Sequence, residues 1–187
     1  MLGDANLNKR FKNCNLKFDY SQKDSAYAHH ITDVFRHWFL SLPTERPRIN
    51  SEYVGLGFQT ISSIEFNFLK DLFYFDNHTK KSIKENLIKD YLTPIGLAYW
   101  ICDDGGLTDY TRKRGLEIHT GGFTEDEVSL KVEQLSEKFN LNCWKAHNRK
   151  YPIIRFSNSE DVKLTKMIKP YFIKEMYRKL PDINSIS

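Results

Sequence analysis

The sequence predicts an α+β fold built as two similar halves, residues 1–90 and 91–187. Three observations lead there. Short runs alternate apolar and polar residues, the pattern of strands with one buried face. Longer runs between them carry apolar residues at helical spacing behind capping residues. Finally, the order of helix, strands, helix, strands, helix occurs roughly twice, and its landmarks recur. Asp4 and Asp104 lie 100 positions apart, and Lys81 and Lys179 lie 98 apart. Each aspartate is followed 15 positions later by a polar strand residue, Asp19 and His119. A repeat near half the chain length implies halves related by a pseudo-twofold axis.

In the first half, Asn15 to Ser21 alternates, with Leu16, Phe18 and Tyr20 against Lys17 and Asp19, and predicts a strand. Asp24 or Ser25 caps a helix with Tyr27, Ile31, Val34, Phe35 and Trp38 at helical spacing. Pro43 to Asn50 is predicted as a loop carrying Arg46 and Arg48, and Tyr53 to Ser62 as a glycine-interrupted strand. Ile64 to Phe75 is an amphipathic helix with Phe68, Leu69, Leu72 and Phe73. Asn77 to Lys81 is a basic turn.

The second half opens on Tyr91 to Gly106, the centre of the chain. Pro94 fits a first helical position, where a missing N–H costs nothing. Gly105 and Gly106 are read as a left-handed stop. Asp103 and Asp104 then end an apolar helix, where the helix dipole already places partial negative charge. Carboxylates there need a cation, and a divalent metal is the simplest. Leu107 to Arg114 is a basic loop with Arg112, Lys113 and Arg114. Leu116 to Thr120 is a strand exposing Glu117 and His119. Thr124 and Glu127 form a capping box before the stripe Val128, Val132, Leu135 and Phe139. Asn142 to His147 and Pro152 to Ser157 are strands joined by a turn holding Arg149 and Lys150. Ser159 caps a last helix through Ile168.

Leu97-Ala98-Tyr99-Trp100-Ile101-Cys102-Asp103-Asp104-Gly105 resembles the nine-letter signature helix of the LAGLIDADG homing endonucleases, with Tyr99 at the motif's glycine and Cys102 at its first aspartate. Phe123 to Val128, Lys138 to Cys143, Ile168 to Tyr171 and Lys179-Leu180-Pro181 extend the likeness over nearly the whole chain, closest to single-chain, intron-encoded mitochondrial members. The resemblance implies a pseudosymmetric, duplicated αββαββα fold, with two saddle-shaped antiparallel sheets around two central helices. Met1 to Ala5 match only the tail of the first signature helix, so roughly two turns are expected to be missing before Met1, at ~3.6 residues per turn. It implies a monomer that makes a double-strand break in a long asymmetric DNA site, with Mg2+ (or Mn2+) as cofactor. Asp4 and Asp104 match the metal aspartates, with the backbone of Gly3 and Asp103 as further ligands, and Lys81 and Lys179 match the active-site lysines. The expected DNA-facing residues are Lys17, Asp19, Glu117, His119, Lys145, His147 and Arg155 on the strands. Arg46, Arg48, Arg112, Lys113, Arg114, Arg149 and Lys150 are expected to join them from loops and turns. Gly121 stands where such enzymes often carry a glutamine. Two alternatives remain open: an RNA maturase acting on a group I intron, and a degenerate DNA-binding remnant.

Composition narrows the class further. Twenty-eight lysines and arginines against 24 acids give a net charge of +4, which serves a polyanion only if charges segregate. Cys14, Cys102 and Cys143 are odd in number, lack zinc spacing and read as reduced buried thiols. No apolar run reaches membrane-spanning length, and the N-terminal stretch has no secretory apolar core. Abundant Asn, Ile, Lys, Phe and Tyr point to an AT-rich coding genome. The mitochondrion is the expected compartment, with chloroplast or bacterial cytoplasm as alternatives.

Overall fold

The structure is a computed structural model and describes residues 1–10, 12–47, 54–74 and 80–183. Two compact units divide it, Met1–Asp71 and Leu72–Ser187.

The first unit holds β1 (Asn6–Arg10), β2 (Asn13–Ser21), α1 (Ser25–Val34), β3 (Thr44–Pro47), β4 (Val54–Gln59) and α2 (Asn67–Phe73), the last entered through a 3-10 turn, Ile64–Phe66. Met1 to Ala5 lie outside any helix. The four strands form one antiparallel sheet in the order β1-β2-β4-β3. Strand β2 alternates as predicted, burying Leu16, Phe18 and Tyr20 and exposing Lys17 and Asp19. Its aromatic face builds the core: Phe18 stacks on Phe58 at 5.0 Å, and Tyr20 meets Tyr27 edge-on at 5.3 Å.

Three expectations need correction here. The predicted loop at 43–50 contains strand β3, so Arg46 sits on a strand, paired with Gly55. All four residues of β3 are exposed, and an edge strand with no buried face leaves no alternation to read. The helix from Ser25 ends at Val34, and Val34 and Phe35 are exposed instead of belonging to its buried stripe. Phe68 is likewise 57% exposed, in the first turn of α2 and off the face that buries Phe73. The Asn67 side chain accepts the Cys14 N–H at 2.9 Å, which ties α2 to β2.

The second unit runs α3 (Leu87–Tyr91), α4 (Pro94–Asp104), β5 (Gly105–Asp109), β6 (Arg114–His119), α5 (Glu125–Phe139), β7 (Cys143–Asn148), β8 (Tyr151–Phe156) and α6 (Asp161–Ile168). Short 3-10 helices, Lys169–Tyr171 and Lys174–Lys179, follow. The sheet order is β5-β6-β8-β7. First, second, fourth, third is the same order as in the first unit, with a helix between the second and third strands of each. The duplication read from spacing is therefore a duplication of topology. From α4 to α6 the second unit is a complete αββαββα.

Thr93 caps α4 through the Gly96 N–H at 3.2 Å, and Pro94 occupies the first turn. Gly105 does not stop the helix in a left-handed conformation: its φ is −76°, and β5 begins there. Glycine is needed for a different reason. A Cβ on Gly105 would lie 2.5 Å from the Ile101 carbonyl oxygen and 2.6 Å from its Cγ2. The helix therefore passes directly into a strand, and the basic loop expected at 107–114 shrinks to the turn after Asp109. The capping box of α5 and the Arg149–Lys150 turn form as predicted. Ser159 does not cap α6: Ser157 accepts the Ser159 N–H and caps a 3-10 turn, Asn158–Glu160, that leads into α6.

Segment 81–91 belongs to the second unit because α5 supplies its hydrogen bonds. Glu127 Oε1 accepts the Ile83 N–H at 2.9 Å, and Gln134 Oε1 accepts those of Ile88 (2.8 Å) and Lys89 (3.3 Å). Gln134 thus serves the orphan donors at the start of α3 that a capping residue would otherwise satisfy.

Gly105→Ala is expected to destabilise the protein by about 1–3 kcal/mol, because the backbone at Ile101 must move. Gly122→Ala, where nothing lies within 4 Å of an added Cβ, is expected to stay within about 0.5 kcal/mol. Denaturant unfolding of the two variants measures the difference.

Candidate functional site

In the second unit, the end of α4 gathers the charged residues that the sequence singled out. Asp104 is the last residue of the helix, half-buried, with the sheet starting at the next position. Lys179 is brought there by the 3-10 helix Lys174–Lys179, anchored through buried Met176 and Leu180. Its ammonium donates to the carbonyls of Cys102 (2.6 Å) and Asp103 (2.8 Å). These are terminal carbonyls with no partner inside the helix, and a cation there opposes the helix dipole. Part of the positive charge predicted for this helix end is therefore protein. Cys102 is inert as a nucleophile: burial, then the neighbouring Asp103, pushes its thiol up to about 12.

Lys81 lies two residues before Ile83, whose N–H is fixed by Glu127. Its charge and that of Asp104 are both felt at Lys131. Sequence reasoning missed Lys131 altogether. It is 0% exposed on α5, with its ammonium 2.7 Å from the Phe123 ring centroid and 5.6 Å from that of Trp100, one turn before Asp104. Among the described residues, no hydrogen-bond partner reaches its nitrogen. Burial drives its pKa down to about 6, against smaller opposing contributions from Glu127 and Asp104. The signal was in the spacing: Glu127, Lys131 and Gln134 follow the helical repeat beside Val128 and Leu135.

Asp4 lies in the first unit, at a bend with Gly3 just before β1, and its carbonyl accepts from the Asn6 side chain at 3.0 Å. Among the described residues, no three His, Cys, Asp or Glu side chains converge as a metal cage. The donors at the end of α4 are the Asp104 carboxylate and the Asp103 carbonyl, the latter already shared with Lys179. An all-oxygen, sparsely liganded site fits a hard cation such as Mg2+, which retains waters and takes its remaining ligands from substrate phosphates.

The strand registers sort the residues expected on the outer sheet faces. In the first unit, Lys17 and Asp19 are exposed on β2, opposite Gln59 and Gly57. The Arg46 side chain crosses Gly57, where a Cβ would lie 2.2 Å from its Nε. Arg48 lies outside the described residues. In the second unit, Glu117, Arg155 and Trp144 are cross-strand neighbours on one face, as are His119, Ile153 and Ala146. Lys145 and His147 occupy the opposite, helix-facing side, a correction to their expected placement. Both bind Glu125 at the start of α5, at 3.0 Å and 2.7 Å, and hold its carboxyl below its ordinary range, His147 most strongly. The apolar-in rule misplaced them because Trp144 and Ile153 face outward while Lys145 and His147 satisfy a helix start.

Arg114 is no loop residue either. It begins β6 with its Nε 4.0 Å from Asp161. Asp161 is fully buried, accepts the Gly115 N–H at 3.0 Å, and is raised in pKa by burial. Arg112, Lys113, Arg149 and Lys150 are exposed at the two turns, where Asp109 accepts the N–H groups of Thr111 and Arg112.

A duplicated sheet-and-helix fold with a carboxylate at the junction of its central helix and sheet defines a recognisable class. A family model, the LAGLIDADG DNA endonuclease family, matches residues 1–164. The protein named probable intron-encoded endonuclease 1 of Wickerhamomyces canadensis is 36% identical over 186 residues, covering 96% of this chain and 80% of that protein. A solved structure of the homing endonuclease I-WcaI bound to its DNA recognition sequence superposes with a TM-score of 0.86 at 36% identity, over 96% of this chain and 81% of the other. Cytochrome b mRNA maturase bI2 of Debaryomyces hansenii is 27% identical over 191 residues, 96% of this chain and 70% of that protein. The chain belongs to the LAGLIDADG DNA endonuclease family.

Lys131 gives this site a pH signature. Folded, it releases its proton near pH 6, whereas its ordinary value is 10.5. Between these values the unfolded chain binds the extra proton, so stability is expected to rise with pH by up to about 1.4 kcal/mol per unit and to level off below pH 6. Lys131→Met is expected to flatten that slope and to stabilise the protein at pH 7. Chemical denaturation at pH 6, 7, 8 and 9 reads both effects.

Proposed function

We propose that this protein is a site-specific DNA endonuclease of the homing type, hydrolysing one phosphodiester in each strand with a divalent metal, preferentially Mg2+. The observation that carries the reading is the end of α4, where Asp104 meets the start of a sheet and Lys179 clamps the preceding carbonyls. Close likeness to a homing endonuclease bound to its DNA recognition sequence supports it.

Asp104 would hold the ion in the second unit and Asp4 its counterpart in the first, one for each strand. A bound divalent ion supplies an activated water and neutralises charge on the phosphate. Lys179, fixed by two carbonyls, presents a cation beside Asp104 and opposes charge developing on the leaving oxygen. Lys81 does the same from the segment held by Glu127. DNA is read by the outer faces of the sheets, with Lys17, Asp19 and Arg46 on one and Arg155 on the other. Arg112, Lys113, Arg149 and Lys150 hold phosphates from the turns. The protein acts as a monomer, its two sequence repeats meeting at 90/91, and works in the organelle whose intron encodes it. A second reading, an RNA maturase, is favoured only by the bI2 likeness.

Asp104→Asn is expected to lower cleavage of a duplex selected from a random library by at least about 100-fold while leaving its affinity unchanged. A variant that cuts normally overturns the assignment. A gel-shift comparison showing group I intron RNA bound tightly and duplex DNA not bound favours the maturase.

A further inference from the structure

On the outer face of the second sheet, beside Asp104, lies a charged row that packing does not require. Glu117 is only 7% exposed although it sits on the outward side of β6. Burying a carboxylate is costly unless it is paired, and the partner is Arg155, whose Nε donates to Oε2 at 3.1 Å. Glu117 Oε1 lies 3.6 Å from Nε2 of His119, an exposed imidazole at the end of the same strand. Gly106, two residues past Asp104, pairs with Glu117 across the β5–β6 ladder. A Cβ on Gly106 would lie 3.6 Å from His119 Nε2 and 3.0 Å from the Tyr110 hydroxyl. The imidazole therefore lies over bare backbone two residues from Asp104. It also walls an open cavity of about 360 Å³ with Gly121, Arg149 and Tyr151 over a floor of Ile153. Gly121 puts no side chain into that cavity, and a Cβ there would meet the Tyr151 ring at 3.9 Å.

We propose that His119 is a catalytic residue for the strand served by Asp104, accepting a proton from the attacking water, with the Glu117 carboxylate, itself bound by Arg155, beside its Nε2. The proposal rests on the nuclease reading. In the step, the water oxygen bonds to phosphorus and the bond from phosphorus to the leaving sugar oxygen breaks. The water's proton passes to the imidazole, and the leaving oxygen takes a proton from solvent. A base oriented by a second side chain is the usual arrangement for such a transfer.

The test is strand-resolved, single-turnover cleavage of the selected duplex labelled on both strands, with affinity measured separately in chelator. His119→Ala is expected to slow one strand by about 100-fold, the same strand that Asp104→Asn blocks, with nicked duplex accumulating. The other strand and the metal-free affinity should be unchanged. Glu117→Gln should slow the same strand less, and His119→Gln should recover part of the loss. Equal slowing of both strands, or a loss accounted for by weaker binding in chelator, overturns the proposal and makes His119 a base-reading contact. Unchanged rates in His119→Ala overturn it while the nuclease reading stands. A wild-type protein that binds the duplex and cuts neither strand overturns both.

Discussion

A helix that ends inside a protein must find partners for its last carbonyls, and the second unit is arranged around that requirement at α4. No loop intervenes to serve them, because β5 starts at Gly105. Lys179 serves two of them from 77 and 76 residues away in sequence. Those two bonds, with buried Met176 and Leu180, hold the chain's last described segment against the end of α4. They also set a fixed cation beside the half-buried Asp104. The constraint that closes the helix is thus the one that builds the site.

The same economy appears on α5. Its first turn carries Glu127, which closes its own capping box through Thr124 and also accepts the Ile83 N–H. Two turns later Gln134 starts α3. One helix face therefore positions the segment bearing Lys81. Between these two residues sits Lys131, whose buried amine contacts aromatic rings and, among the described residues, no hydrogen-bond acceptor. Such a group is costly in its charged form, and it lies within electrostatic reach of Asp104. Stability at this end of the molecule is consequently tied to the charges that surround the site.

The two units share a strand order but differ in what their outer faces carry. The first offers Lys17, Asp19 and an Arg46 laid over Gly57. The second offers a linked Arg155–Glu117–His119 row and exposed Trp144 and Tyr151. Duplication conserved the hydrogen-bonding scheme, which depends on backbone, and left the exposed side chains to diverge. Asymmetric faces suit a ligand whose two halves differ.

The sequence by itself determined the elements whose signals are local. The Thr124–Glu127 capping box, the Pro94 helix start, the alternation in β2 and the recurrence of Asp4 at Asp104 all depend on residues near one another or on exact spacing. It also marked Asp104 and Lys179, through a motif and its repeat. Tertiary structure decided what local patterns cannot carry. β3 is a fully exposed edge strand, and nothing in its own residues marks its pairing with β4. Gly105 is required by an approach to Ile101 and not by its own φ. Lys145 and His147 took the helix side because Glu125 needed them there, and Lys131 and Gln134 went inside because other segments packed over them. A side chain's face is fixed by which long-range contact it satisfies, and only the folded chain states that contact.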